Sequence, residues 1–92
     1  MRARRHSQWH ELTLDQIQSG QTVRVRGIRG GWGCSQRLNQ MGIHAGDPIT
    51  VKRNVRWGGP ILVQVHGSEI ALGRGMARHI MVAAQNDPQQ DG

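Results

Sequence analysis

From Gln21 to Gly27 apolar and polar side chains alternate, with Val23 and Val25 on one side and Thr22, Arg24 and Arg26 on the other. That two-residue period predicts a half-buried strand. Ile28 falls out of phase, which places a bulge near the strand's end. The same period returns from Pro48 to Arg53, with Ile49 and Val51 inward. Pro48 stands at a first strand position, where no ladder donor is needed. From Ile61 to His66, the residues Ile61, Val63 and Val65 share a face and Leu62 lies on the opposite one. Shorter strands are expected at Glu69–Leu72 and around Ile80 and Val82.

Helical spacing appears twice. Thr13-Leu14-Asp15-Gln16 has the spacing of a capping box, and Ile17 follows Leu14 by three positions, so both face inward before Gly20 ends the turn. A second helix is expected from an N-cap at Ser35 to Met41, with Leu38 and Met41 on one face. Gly42 and Ile43 then supply a left-handed stop and its apolar contact. Arg29-Gly30-Gly31-Trp32-Gly33 reads as a mobile loop, because so much glycine sustains no regular element. Ala45-Gly46-Asp47, Trp57-Gly58-Gly59-Pro60 and His66-Gly67-Ser68 are turns, and Gly73 to Arg78 is a turn or one helical turn.

These elements give an all-β chain folded as a small closed or partly closed barrel of about five short strands with one or two short helices. The expected interior is Leu12, Leu14, Ile17, Val23, Val25, Leu38, Met41, Ile43, Ile49, Val51, Ile61, Val63, Val65, Ile70, Leu72, Ile80 and Val82. Residues 1–11 are expected to be a flexible basic arm, 12–83 the domain, and 84–92 a disordered tail, because from Gln85 onward there is nothing apolar to bury. A chain of 92 residues supports one hydrophobic core rather than two.

A net charge of +6, from eleven Arg and one Lys, directs the search for partners toward nucleic acid, anionic lipid or an acidic protein face. The single cysteine, Cys34, has no internal partner for a disulfide and suits a reducing compartment. Arg2, Arg4 and Arg5 are not followed by the apolar run of a signal peptide, and no segment has the length of a membrane span. The expected location is cytoplasmic.

Catalysis finds little material here. The six acids (Glu11, Asp15, Asp47, Glu69, Asp87 and Asp91) form no pair of the kind acid–base chemistry requires. Cys34 has no histidine close by in sequence and reads as a plain thiol. Gly30 to Gly33 lacks the Gly-Lys-Ser/Thr ending of a phosphate loop. The weak metal candidates are His6 and His10, four apart, which suit adventitious zinc or iron, but two ligands do not make a site. Trp57 beside Arg56, and Trp32 near Arg29, offer interface anchors, with Leu62 as an adjoining apolar contact. For Trp57 a second role stands equally open, as a plug over one end of the barrel. With no Tyr or Phe, a proline-peptide groove is not expected.

Four runs in order resemble the FeoA family. They are Leu12-x-Leu14-x-x-Ile17-x-x-Gly20 with Val23-x-Val25, then Arg37-Leu38-x-x-Met41-Gly42-Ile43-x-x-Gly46-x-x-Ile49-x-Val51, then Gly59-Pro60-Ile61-x-Val63-x-Val65-x-Gly67, and last Ile70-Ala71-Leu72-Gly73-Arg74-x-x-Ala77-x-x-Ile80-x-Val82. The resemblance implies an SH3-like barrel. It also implies a non-enzymatic accessory role in ferrous iron transport, exerted by contact with a FeoB-like membrane permease. A similar barrel occurs in iron-dependent repressors of the DtxR type, but no helix-turn-helix accompanies it here. Gln40, Gly73 and Gly75-Met76 depart from the family pattern by removing acidic or helix-favouring residues. The candidate partner-binding set is Arg37, Arg56, Trp57, Leu62 and Arg74. No cofactor is required by this reading. The alternative is a nucleic-acid-binding barrel using Arg24, Arg26 and the tryptophan-bearing loops, and a third is a metal-sensing module built on His6 and His10.

Overall fold

The computed structural model describes residues 12–55 and 57–84. The expectations placed on the arm (including His6 and His10), on Arg56 and on the tail from residue 85 lie outside the described residues. The chain runs through β1 (Leu12–Thr13), a single 3-10 turn (Leu14–Gln16), β2 (Thr22–Ile28), α1 (Gly31–Gln40), β3 (Pro48–Arg53), β4 (Ile61–Val65), β5 (Ser68–Leu72), α2 (Arg74–Ala77) and β6 (Ile80–Ala84). All six strands join one antiparallel sheet in the order β1-β6-β2-β3-β4-β5. Their inward side chains meet in one aliphatic cluster, with Val25, Ile49, Val51, Ile61, Val63, Leu72 and Ile80 at its centre. No polar or charged residue is buried among the described residues, and the core is wholly apolar.

Two bulges shape the sheet. The register of β2 on β6 shifts between Val25 and Gly27, and the extra residue returns Ile28 to the inner side, opposite Ile80. A second shift between Val51 and Arg53 sets Arg53 opposite Leu62. The β4–β5 connection is the two-residue turn His66-Gly67, with φ of 50° and 82°. Positive φ at both central residues is the type I′ arrangement, whose twist matches that of the flanking strands.

The helix C-terminus follows the expected chemistry. Gly42 takes φ 93°, its N–H donates to the Asn39 carbonyl, and the Ile43 N–H reaches back to the Leu38 carbonyl. These are the two bonds of a Schellman motif, and Leu38 and Ile43 are both fully buried beside it. The N-terminus differs from expectation. Helix α1 begins at Gly31, so the supposed mobile loop supplies its first turn. Gly30, at φ 92°, swings the chain into the helix, and the Arg29 N–H is held by the His79 carbonyl. Each helical glycine costs about 1 kcal/mol relative to alanine. Packing of Leu38 and Cys34 against the core outweighs that local preference.

Three expected core residues sit further out. Met41 follows the last turn of α1 and is 40% exposed. Leu12 is equally exposed because β1 is a two-residue edge strand. Ile70, on the other edge strand, is half-buried. Ala77 of α2 joins the core in their stead. Strand β6 runs to Ala84, one residue into the segment read as tail. Among the described residues no helix is long and apolar enough to cross a membrane.

Candidate functional site

The segment after β3 carries Trp57, the most exposed large apolar side chain among the described residues. Its first residue, Asn54, is a hub. The Asn54 amide nitrogen donates to the carbonyls of Asp15 and Ile17 at 3.1 and 2.7 Å, and its backbone N–H donates to the Ser19 hydroxyl at 2.9 Å. Its amide oxygen accepts both terminal nitrogens of Arg74 at 3.0 and 2.6 Å. Arg74 also donates to the Val55 carbonyl at 3.1 Å. The start of the loop is thereby tied to the 3-10 turn on one side and to α2 on the other. Thr13 to Gln16 is itself locked, with the Gln16 side chain accepting the Thr13 N–H at 2.9 Å.

Beyond this anchor the chain turns through Gly58, whose N–H donates to the Val55 carbonyl, and Gly59, at φ 39°. Trp57 is 84% exposed, so it is not a plug over the barrel end. Val55 is exposed as well. Beside them runs a shallow groove lined by Arg53, Val55, Pro60, Leu62 and Ala71. Leu62 is half-buried in its floor, on the outer face of β4, as alternation required. Leu62 lines this groove, and Trp57 stands on the adjoining loop, immediately before the Gly58-Gly59 stretch that forms one of its walls. Arg74 reaches the same loop, but with its guanidinium turned inward as a clamp. Arg37 lies apart, exposed on α1, the helix that also presents Trp32 at 76% exposure.

A second polar cluster surrounds Asp47, at the turn before β3. Its carboxylate accepts the His44 backbone N–H at 2.8 Å, lies 3.5 Å from the His44 ring, and is 3.2 Å from Nε2 of His66. The His44 N–H, with the His66 imidazole behind it, holds the Asp47 carboxyl below the usual carboxylate range, although partial desolvation opposes this. Arg24 donates to the neighbouring Gly46 carbonyl at 2.6 Å. His44 and Asp47 are three apart and legible in sequence. His66 arrives from the β4–β5 turn, which no local pattern announces.

Among the described residues no three His, Cys, Asp or Glu side chains gather as a metal site. The two described tryptophans form no stacking platform on the sheet, since Trp32 is on a helix and Trp57 on a loop. That weighs against the single-strand nucleic-acid reading.

Comparison with known proteins agrees with the architecture. The FeoA domain family matches residues 12–84. A Methanocaldococcus jannaschii protein, provisionally named Fe(2+) transport protein A, is 46% identical over 63 residues, covering 68% of this chain and 74% of its own. A crystal structure of an iron uptake regulatory protein, FeoA, superposes with a TM-score of 0.73 at 32% identity, covering 80% of this chain and 96% of that one. The Stenotrophomonas maltophilia FeoA complexed with zinc, described as a procaryotic SH3 domain protein, gives a TM-score of 0.70 at 22% identity over 78% of this chain and 89% of its own. With its six-stranded SH3-like sheet and that match from Leu12 to Ala84, the chain belongs to the FeoA family of ferrous iron transport accessory proteins.

Proposed function

We propose that the protein is a cytoplasmic, non-catalytic adaptor that regulates a FeoB-like ferrous iron permease by binding its cytosolic face through Trp57 and the adjoining groove that Leu62 lines. The observation that carries this is a solvent-exposed tryptophan on an anchored loop beside an apolar groove. Trp and Arg dominate the few residues that supply most interface energy, and an anchored loop loses little freedom on docking. The positive charge of the chain calls for an acidic surface on the partner. Arg37 on α1 and Arg53 at the groove edge supply planar donors for carboxylates there. Family membership supplies the transport context, and the wholly apolar core of the described residues suits a scaffold for binding.

The experiment is co-purification of the tagged protein with detergent-solubilised permease, paired with ferrous iron uptake in a strain deleted for this protein. Retention of the permease and impaired uptake are expected. Loss of contact together with normal uptake would remove the proposal.

A further inference from the structure

The fold brings three metal-binding side chains together from two separate segments. Cys34 lies in α1, Met76 in α2, and His79 follows α2 three positions after Met76. Cys34 Sγ is 3.8 Å from Met76 Sδ, with the thiol donating to the thioether. A Cβ built on Gly30 would fall 2.9 Å from Nδ1 of His79 and 3.2 Å from Cβ of Cys34. The imidazole and the cysteine therefore crowd around one backbone point, where only glycine leaves room. Cys34, Arg37, Met76 and His79 line one open groove, and the three ligands are each half-buried. Each is accessible to an ion yet placed by its neighbours.

We propose that Cys34, Met76 and His79 form a binding site for a soft monovalent metal ion, Cu(I) in class. Two sulfurs bound to one metal at about 2.3 Å, with an angle between tetrahedral and trigonal, stand about 3.8–4.0 Å apart. The observed S···S distance already has that value. The ion takes the place of the proton that the Cys34 thiol donates to the Met76 thioether. Thiol plus Cu(I) gives thiolate-bound Cu(I) and a proton released to water, with no change of oxidation state. One thiolate, one thioether and one imidazole, without a carboxylate, is a soft set suited to Cu(I) rather than to an oxygen-seeking cation. Charge points the same way, because a net charge of +6 with Arg37 at the groove repels a dication twice as strongly as a monocation. This site shares no residue with the groove beside Trp57, and Arg37 alone belongs both to it and to the set proposed to meet the permease.

The test is an anaerobic competition for Cu(I) against bicinchoninate. It uses the full chain carrying His6→Ala and His10→Ala, which removes the imidazoles of the arm. One equivalent of Cu(I) is expected to bind with release of one proton. Losing even an outer-shell partner of a metal site weakens binding about 10–100-fold. Cys34→Ser, Met76→Leu and His79→Gln are each expected to weaken it at least that much. A second measurement needs no variant of the site: one equivalent of Ag(I) shifts the Met76 ε-methyl resonance, with the remaining shifts confined to Cys34, His79 and the residues around them. The proposal is overturned if Met76→Leu and His79→Gln bind Cu(I) as tightly as the parent. An unmoved Met76 methyl, or a tighter hold on Zn(II) or Fe(II) than on Cu(I), overturns it as well.

Discussion

Replacing Asn54 by alanine removes the joint between the 3-10 turn, the β3–β4 loop and α2. The two hydrogen bonds that the Asn54 side-chain amide donates to the Asp15 and Ile17 carbonyls disappear, and the Arg74 guanidinium loses the oxygen it holds with both terminal nitrogens. A neutral hydrogen bond contributes about 0.5–1.5 kcal/mol and one to a charged group about 1.5–3 kcal/mol. Asn54 is half-buried, so water recovers part of that sum. The expected net loss is about 2–3 kcal/mol. A domain of this size shifts in Tm by about 4–8 °C for each kcal/mol, which places the variant about 8–24 °C below the parent. Calorimetry gives the Tm, and urea unfolding followed by circular dichroism should show a lower midpoint with an unchanged slope. Arg74→Met keeps the stem of the side chain while removing the charge. In a double-mutant cycle the two changes should couple by about 1 kcal/mol or more. An Asn54→Ala variant within about 0.5 kcal/mol of the parent, the range of ordinary surface changes, would refute the hub.

Asp47 sets a pH dependence. Its carboxyl is held below its ordinary value in the folded state, so below that ordinary value the unfolded chain binds the proton more readily. Its contribution is therefore complete above the ordinary carboxylate range and fades as pH falls through the lower folded value. Asp47→Asn should flatten the acid limb of a plot of stability against pH, and an unchanged limb would contradict the assignment. Gly42→Ala forces a Cβ into the left-handed C′ position, at φ 93°, and should cost about 1–2 kcal/mol in urea unfolding. No loss at that position would mean the Schellman turn is absent in solution.

Much of the fold was legible because the period of apolar residues reports directly on which face is buried. Val23 and Val25, Ile49 and Val51, and Ile61, Val63 and Val65 all turn inward as their alternation requires. Ile28 was readable as a bulge, and Gly42-Ile43 as a helix stop, because each depends only on neighbouring residues. The start of α1 was not legible, since glycine preference is local whereas the docking of Leu38 and Cys34 is tertiary. Met41 misled because helical spacing says which face a residue shares but not where the helix ends. The exposure of Trp57 and the outward side of Leu62 were legible as a residue type on a glycine-rich turn and as strand alternation. The clamp of Asn54 and Arg74 was not, because its members are twenty residues apart. Likewise nothing near Asp47 in sequence foretold His66, and nothing near Cys34 foretold Met76 or His79.

In the proposed function this barrel presents an anchored tryptophan to a permease. Isothermal titration of the purified cytosolic domains of the FeoB-like permease with the parent protein and with Trp57→Ala measures it directly. Saturable binding by the parent is expected, weakened about 30-fold in Trp57→Ala, the equivalent of about 2 kcal/mol for an interface anchor. No saturable binding by the parent, or identical affinity for the two proteins, would contradict it.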